Sequence, residues 1–200
     1  MKLNRVETLI MNNPIRALIQ MYYEAPRMAG LVGKLPNSPN TLVIGCGRGV
    51  DIDAAFKIFK AARVTAIDID PAQVARAKER VGEKYGDRLR LLVDDAEKTS
   101  FADGEFELVL DFGIIHHIPR WQKAVDEIFR LTAPGGLFIF EEVPGRKLNS
   151  RPYRTFLDHP RENRFSAEDF GRQCERSGFE IIAPVKPFFG FFRGAAAKKR

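Results

Sequence analysis

Short apolar runs alternate with helical patterns along the chain from residue 41 onward. The apolar runs predict strands, and the segments whose apolar residues recur every three or four positions predict helices. The predicted strands cover residues 41–44, 64–68, 89–93, 106–110 and 137–140, and the predicted helices cover about 51–60, 71–81 and 121–131. Such alternation is typical of a parallel sheet built from right-handed βαβ units with helices on both faces. We therefore expect an α/β fold in three layers.

An amphipathic helix is predicted before this region. Asn13 followed by Pro14 is typical of a helix cap and first turn. The apolar face that follows at helical spacing consists of Ile15, Leu18, Ile19 and Tyr22. We expect a helical cap segment over residues 1–40 and the main domain over residues 41–200.

A second capped helix and two strands are predicted at the C-terminal end. Ser166 and Asp169 have capping-box spacing, so a helix should run over residues 167–177 and end at Gly178. Residues 179–200 then indicate two strands joined by a turn at Lys186 and Pro187. These strands would close a mixed sheet with one antiparallel edge.

Length, charge and cysteine content limit the class of protein. The chain has 200 residues, which suits one domain with a full core. Its 32 Lys and Arg residues exceed 26 Asp and Glu residues, which favours acidic partners such as anionic lipid or nucleic acid. Cys46 and Cys174 match no metal-ligand spacing and indicate reduced thiols. Because neither a signal-peptide core nor a run of ~20 apolar residues is found, we expect a cytoplasmic protein.

Three glycines at alternate positions follow the first predicted strand, in the stretch TLVIGCGRGVDID. Gly45, Gly47 and Gly49 leave a turn without Cβ atoms, so a ligand can approach its backbone closely. In open parallel sheets this turn lies where ligands bind. A dinucleotide fingerprint, GxGxxG/A, needs a small residue at its sixth position, where Val50 stands. No Gly-Lys-Ser/Thr, which a phosphate-binding loop needs, follows the turn. The turn therefore favours a nucleoside site other than one for NAD.

Two acidic positions strengthen the nucleoside interpretation. Asp68 closes the second strand, where a carboxylate can accept hydrogen bonds from both ribose hydroxyls. The alternative role for Asp68 is a helix cap, but Asp70 before Pro71 fits that role better. Asp95 and Ala96 end the third strand and should lie beside the base, where Asp95 can accept from an exocyclic amine.

The chain resembles the class I S-adenosylmethionine-dependent methyltransferases over residues 41–142, in particular the small-molecule group of the ubiquinone and menaquinone biosynthesis enzymes. The resemblance rests on VIGCGRG, AIDIDPAQVARAKER, DDAEKTSFADGEFELVLDFGIIHHI and EIFRLTAPGGLFIFEE, in the family's order. It implies a Rossmann-like, seven-stranded, mostly parallel sheet with one antiparallel strand. It also implies that the glycines bind the methionine end of the cofactor, Asp68 the ribose, and Asp95 with Ala96 the adenine. Further expected contacts of the cofactor, S-adenosylmethionine, are Cys46, Ile69, Asp111 and Phe112.

One position departs from the family pattern. The residue two before the first glycine is usually acidic and helps to hold the cofactor's ammonium group, but here it is Val43. Either cofactor binding is weakened or another carboxylate takes this role. Asp111 should end the fourth strand, next to the first strand, so we expect it to bind the ammonium group instead. The alternative is that Asp111 has a purely structural role.

Three residues are candidate catalytic bases. A sulfonium methyl group is already electrophilic, so the enzyme must mainly align the acceptor and exclude water, with proton removal where the acceptor needs it. His116 and His117 follow the fourth strand, where histidine suits proton transfer near neutral pH. The alternative is that either histidine caps a helix or packs under the sheet. Glu141 and Glu142 end the fifth strand, and one of them should face the same cleft, for which Glu141 is our candidate.

An insert over about residues 143–165 occupies the position where this family places acceptor contacts. Its basic residues are Arg146, Lys147, Arg151, Arg154, Arg161 and Arg164, and its apolar residues include Tyr153, Phe156 and Leu157. With the N-terminal apolar face, the insert favours a small apolar acceptor with an anionic or lipid-like surround, such as a quinone precursor. A solvated loop and a core-packing helix are the alternatives.

Other partners and functions remain open at this point. A nucleic-acid amine is an improbable acceptor, since no Asp/Asn-Pro-Pro-Tyr-like run follows the fourth strand. The Phe-rich segment 188–192, followed by the basic residues 198–200, allows peripheral membrane contact. The alternative interpretation is a buried edge strand with a solvated tail. A non-catalytic cofactor-binding module of the same fold and an NAD-dependent oxidoreductase are the competing functions, the second disfavoured by Val50.

Overall fold

The computed structural model describes residues 13–151, 160, 162–188 and 190–200. Within them, seven strands form one sheet: β1 (Asn40–Ile44), β2 (Arg63–Asp68), β3 (Leu89–Val93), β4 (Phe106–Phe112), β5 (Thr132–Glu142), β6 (Phe179–Phe188) and β7 (Phe191–Lys198). Their order in the sheet is β3-β2-β1-β4-β5-β7-β6. The pairs from β3 to β5 are parallel, whereas β7 is antiparallel to both β5 and β6. The predicted Rossmann-like sheet with one antiparallel strand is confirmed.

Helices flank the sheet. They are α1 (Pro14–Ile19), α2 (Ala25–Ala29), α3 (Val50–Lys57), α4 (Pro71–Ala77), α5 (Glu83–Tyr85), α6 (Trp121–Leu131), α7 (Gly145–Leu148) and α8 (Ala167–Ser177). Two π-helical turns, Gln20–Glu24 and Lys78–Gly82, follow α1 and α4, and 3-10 turns cover Gly86–Arg88 and Ile115–His117. Predicted caps are present, because the side chain of Asn13 accepts from the Ile15 N–H and Ser166 forms a capping box with Asp169.

Strand alternation divides the core between the two faces of the sheet. In β5, Phe138 and Phe140 pack on one face with Phe170, while Ile139 packs on the other face with Met28. All five side chains are fully buried. Because successive strand residues face opposite sides, both faces need apolar helices, and this gives the three layers.

Most differences from the predicted elements concern their ends. The helix predicted over 51–60 ends at Lys57, and Lys60 has a φ of 59°, which the α-helix does not allow. The strand predicted over 137–140 begins at Thr132 and ends at Glu142. The register between β4 and β5 shifts between Phe106 and Leu108. The added residues 132–136 and 141–142 carry no large apolar side chain, so the apolar run did not include them.

Two predictions about the C-terminal strands were wrong. The turn does not lie at Lys186 and Pro187, because these residues belong to β6 and pair with Arg193 and Phe192. The chain reverses around Gly190, whose φ of 81° favours glycine. The antiparallel strand β7 is also not the edge, since it lies between β5 and β6. As β6 is the edge strand, one side of it needs no hydrogen-bonding partner, and proline is tolerated there.

The N-terminal apolar face does not pack into the core. Ile15, Leu18, Ile19 and Tyr22 are 64%, 56%, 45% and 75% exposed. The opposite side of the same helical segment carries Gln20, Met21 and Glu24, which are buried. The segment therefore presents its apolar side outward and a partly polar side to the domain.

Candidate functional site

A cavity opens at the carboxyl ends of β1, β2 and β4. In the sheet order, β2 lies on one side of β1 and β4 on the other, so this is the point at which the strand order reverses. Among its lining residues are the predicted site residues Gly45, Cys46, Gly47, Asp68, Ile69, Asp95, Ala96, Phe112 and His117. Four predicted site residues, Gly49, Asp111, His116 and Glu141, are not among those lining residues.

The glycine turn between β1 and α3 forms the floor of the cavity. Gly45 has a φ of 68°, and a Cβ atom built there would lie 2.4 Å from Cγ1 of Ile114. Gly47 has a φ of 46°, and a Cβ atom there would meet nothing within 4 Å. Gly45 is therefore required by packing, whereas Gly47 leaves open space that a side chain would fill. Both positions match the predicted bare backbone.

Asp68 joins the glycine turn to the start of α4. Its Oδ2 atom accepts from the Gly47 N–H at 3.1 Å, and its Oδ1 atom accepts from the Asp70 N–H at 2.9 Å. Burial raises the pKa of the Asp68 carboxyl above its ordinary value, and the two backbone N–H groups oppose this shift. Asp70 caps α4 by accepting from the Ala72 N–H at 3.0 Å, as predicted. Asp68 is therefore a cavity-lining carboxylate that is not used as the cap of α4.

The end of β3 supplies a second wall. The exposed Asp95 side chain accepts from the Glu97 N–H at 2.9 Å, which leaves the turn open towards the cavity. Ala96 and Ile69 add apolar surface, and Ile69 is 52% exposed. Apolar surface from Ala96 and Ile69 beside the acidic residue Asp95 suits a planar heterocycle that carries an amino group.

Asp51 and Gln20 were not among the predicted site residues, but both line the cavity. They are 8% and 6% exposed, and Nε2 of Gln20 donates a hydrogen bond to Oδ1 of Asp51. Burial raises the pKa of Asp51 to about 8, and the positive charge of Arg16 opposes that shift. One signal in the sequence pointed to Gln20: it is a polar residue on the side of the N-terminal helix opposite its apolar face.

Glu142 holds the segment that follows β4. Its Oε1 atom accepts from the Ile115 N–H at 2.6 Å and from the His116 N–H at 3.2 Å, and its Oε2 atom lies 2.7 Å from Nδ1 of His116. Burial raises the pKa of Glu142 to about 7. Asp111 lies beside it, with Oδ1 accepting from the Ile114 N–H at 3.0 Å. Burial raises the pKa of Asp111 well above its ordinary value, and the charge of Glu142 raises it further.

The three candidate bases occupy different environments. His117 lines the cavity, and its ring centroid lies 4.2 Å from that of the buried His116. Glu141 forms a buried ion pair with Arg193 of β7, the residue opposite it in the sheet. Burial raises the pKa of Glu141 to about 7, with the charge of Glu24 adding to this shift and Arg193 opposing it. Of the three, His117 alone borders the space that a ligand would occupy.

The predicted insert is described only in part. Residues 152–159 and 161, which include Tyr153, Arg154, Phe156, Leu157 and Arg161, lie outside the described residues. In the described part, Nζ of Lys147 lies 3.5 Å from the ring centroid of Phe191, and burial lowers the pKa of Lys147. In the segment 188–192, Phe192 is fully buried, so this side chain does not face a membrane.

Two further expectations concern metals and membranes. Among residues 13–151, 160, 162–188 and 190–200, no group of His, Cys, Asp or Glu side chains has the arrangement of a metal site. No helix in this part of the chain has both the length and the apolar character needed to cross a bilayer. Cys46 and Cys174 are both free and buried.

The sequence of this chain is similar to those of known methyltransferases. Residues 42–140 match the family model described as a methyltransferase domain. The chain is 34% identical over 103 residues to a ubiquinone/menaquinone biosynthesis C-methyltransferase of Methylobacterium nodulans, covering 46% of this chain and 40% of that protein. It is 27% identical over 133 residues to a fatty-acid O-methyltransferase of Mycolicibacterium smegmatis, covering 66% of this chain and 45% of that protein. The chain thus spans less than half the length of these relatives.

A solved structure shares the fold over nearly the whole chain. It is a SAM-dependent methyltransferase from Aquifex aeolicus, with a TM-score of 0.76 and 17% sequence identity, covering 98% of this chain and 99% of that one. At this identity the likeness concerns the fold alone. It agrees with the seven-stranded topology described above.

Proposed function

The chain belongs, through residues 42–140, to the class I S-adenosylmethionine-dependent methyltransferases, and on this premise we propose that it transfers a methyl group to a small apolar acceptor of the quinone-precursor or lipid class. The observation that carries the proposal is the cavity at the switch point of the sheet, with a bare glycine turn as its floor and Asp68 fixed beside it. The cofactor of this family is S-adenosylmethionine.

The residues present fit this cofactor on two observations. The space above Gly47 is open, so a ligand can reach the backbone there. The buried Oε1 atom of Gln73, in the cavity wall beside Asp68, has no hydrogen-bond partner among the described residues, which suits a hydroxyl donor of a bound ligand. Asp68 would then hold the ribose, Asp95 with Ala96 the adenine, and the glycine turn the amino-acid end.

The bound cofactor supplies an electrophilic methyl group on a sulfonium. The chain must align the acceptor, exclude water and accept a proton where the acceptor carries one. His117 borders the cavity and is our candidate proton acceptor. Glu142 fixes the His116 ring beside His117 through the contact of its Oε2 atom with Nδ1 of His116. We assign Glu142 and His116 to positioning, and Glu141, which is paired with Arg193, to structure.

An apolar acceptor is supported by the N-terminal segment. Its outward face is apolar and exposed, while Gln20 on its inner face lines the cavity. The same helical segment therefore offers an apolar surface to an approaching acceptor and borders the cavity on its other side. The names of two relatives, a quinone-biosynthesis C-methyltransferase and a fatty-acid O-methyltransferase, support the same class of acceptor. The cytoplasmic location and peripheral membrane contact stay predictions.

Methyl transfer can be tested with labelled cofactor. The protein is incubated with methyl-labelled S-adenosylmethionine and a panel that contains a prenylated hydroquinone, long-chain fatty acids and a short RNA, and label is counted in extracted products. We expect label in the hydroquinone or the fatty acids, and none in the RNA. A His117→Ala variant, which leaves the glycine turn intact, should lose most of this transfer while still binding S-adenosylhomocysteine.

A non-catalytic cofactor-binding module is the second candidate. It is favoured by one observation, the engagement of Glu141 and His116 in buried pairs with Arg193 and Glu142. Binding of S-adenosylhomocysteine with no transfer to any acceptor, across pH 6 to 9, would support this candidate and contradict the enzyme.

A further inference from the structure

The amino-acid end of the cavity lacks the acid that the family pattern places before the first glycine. Val43 stands at that position, and its side chain is fully buried in the core with Met28 and Ile52. It cannot bind an ammonium group. A zwitterionic ligand that reaches the glycine turn must therefore meet its counter-charge elsewhere.

Asp111 is poorly placed to supply this charge. It is fully buried, does not line the cavity, and one of its oxygens is already bonded to the Ile114 N–H. Burial and the neighbouring charge of Glu142 both raise the pKa of the Asp111 carboxyl above its ordinary value. Because Asp111 is not exposed to the cavity, a ligand in the cavity does not contact it.

Asp51 has the access to the cavity that Asp111 lacks. It lines the cavity in the first turn of α3, two residues after Gly49. Gln20 donates to one of its oxygens, and no other hydrogen bond to this carboxylate is made by the described residues. Arg16 is the nearby cation, but its Nη1 atom lies 2.6 Å from Oε2 of Glu24. The direct partner of Asp51 is thus a neutral amide.

This arrangement suits a cation that arrives with a ligand. A desolvated carboxylate without a bonded cation is unfavourable in its charged form, and an ammonium group within contact distance would restore the lost interaction. Gln20 fixes the carboxylate and belongs to a π-helical turn, a type of turn frequent at functional sites.

We propose that Asp51 and Gln20 bind the charged amino-acid end of the cofactor, with Asp51 taking its α-ammonium group and Gln20, from the N-terminal segment, completing the subsite. This inference rests on the proposed function, since it presupposes S-adenosylmethionine as the ligand. It makes the N-terminal segment part of the cofactor site. Discrimination between the full cofactor and its truncated nucleosides should then depend on a residue outside the region of family resemblance.

The test compares two ligands by titration calorimetry. S-adenosylhomocysteine carries the amino-acid end, whereas 5′-methylthioadenosine lacks it and keeps the nucleoside. Asp51→Asn should weaken S-adenosylhomocysteine about tenfold or more, the scale of a hydrogen bond to a charged group, and change methylthioadenosine less than about twofold. Gln20→Ala should give a smaller loss with the same selectivity. Equal losses for both ligands, or no loss for either, would overturn the inference.

A matched control uses Asp53, a buried acid of the same helix that pairs with Arg80 outside the cavity lining. Asp53→Asn should leave the ratio of the two affinities unchanged, and a changed ratio would contradict the assignment to Asp51. If wild-type protein binds neither ligand, the proposed function itself fails, which is a different result from loss of selectivity.

A second readout needs no variant. The titratable groups that interact with Asp51 are Arg16, Glu24, Asp111 and Cys46. Because the ionised carboxylate is the binding form, the affinity for S-adenosylhomocysteine relative to methylthioadenosine should rise between pH 6 and 8. A ratio that stays constant over this range would overturn the inference, even if the variants fail to fold.

Discussion

The two ends of the cavity are built in different ways. The end that we assign to the nucleoside comes from residues at the ends of β2 and β3, and Asp68 is fixed by backbone N–H groups of the glycine turn and of Asp70. At the end that we propose for the amino-acid group, Asp51 contacts Gln20, which lies 31 residues earlier on the N-terminal segment. The first end depends on local chain geometry, and the second depends on packing of a separate helical segment.

We therefore expect binding strength and selectivity to depend on different residues. Loss of the glycine turn should damage both ends, loss of Asp68 should weaken every ligand that carries the nucleoside, and loss of Asp51 should act on the amino-acid end alone.

Gly45→Ala should damage both ends of the cavity. The added Cβ atom would lie 2.4 Å from Ile114 at a φ of 68°, so we expect about 3 kcal/mol of destabilisation and loss of ligand binding. Gly47→Ala is the matched change, since it adds the same strain but meets no atom within 4 Å. It should cost only about 1 kcal/mol in urea unfolding while still weakening S-adenosylhomocysteine. Equal destabilisation by both variants would contradict this reading of the turn.

Asp68→Ala should weaken S-adenosylhomocysteine and methylthioadenosine alike, by roughly 2 kcal/mol, because ribose hydroxyls lose a charged acceptor. Calorimetry with both ligands measures this effect. Asp68→Asn keeps one acceptor oxygen and should retain part of the affinity. An unchanged dissociation constant for Asp68→Ala would mean that the ribose binds elsewhere.

Asp51→Asn should stabilise the protein at high pH. The folded-state pKa of about 8 exceeds the ordinary value of 3.8, so the folded state holds a proton that the unfolded state has released, and stability falls as pH rises through this window. The asparagine removes this loss. We expect a free energy of unfolding at least ~1 kcal/mol above wild type at pH 8.5 and little difference at pH 4.

Asp53→Asn gives the opposite sign and serves as the comparison. The ion pairs of Asp53 with Arg80 and Lys84 hold its pKa below the ordinary value, so its carboxylate stabilises the folded state. Its replacement should lower the free energy of unfolding at pH 8.5. Destabilisation by Asp51→Asn at that pH would show that Asp51 is structural.

Changes on the exposed apolar face should have the smallest effect on the folded protein. Leu18→Gln and Tyr22→Ser replace side chains that are 56% and 75% exposed, so stability should change by less than about 0.5 kcal/mol. Methyl transfer to an apolar acceptor should fall, through a higher KM, while cofactor binding stays the same. An unaltered KM in both variants would remove this face from the acceptor site.

The sequence predicted the local features of this site well. The apolar runs, the glycine turn and the Asp70–Pro71 cap are encoded within a few residues, and the helices over 121–131 and 167–177 match in full. Residues that act through long-range contacts were harder to assign. Asp51 stood within the quoted glycine stretch, but only the docking of Gln20 against it reveals its environment.

The C-terminal turn failed for a related reason. Lys186 and Pro187 have turn-like composition, but β6 is an edge strand where proline fits, and the bend falls at Gly190. Likewise, an apolar helical face predicts burial only if the helix has a partner on that side. The exposure of Ile15 and Tyr22 could therefore not be read from spacing alone.

The assignment of S-adenosylmethionine as the cofactor is best tested by calorimetric titration of the wild-type protein with S-adenosylhomocysteine and with NAD at pH 8. A ligand that occupies the cavity must contact the glycine turn and Asp68, and the turn lacks the third small residue of a dinucleotide site, where Val50 stands. We predict saturable, one-to-one binding of S-adenosylhomocysteine that Asp68→Ala weakens, and no binding of NAD. Binding of NAD with equal or higher affinity, or no binding of S-adenosylhomocysteine, would contradict the account.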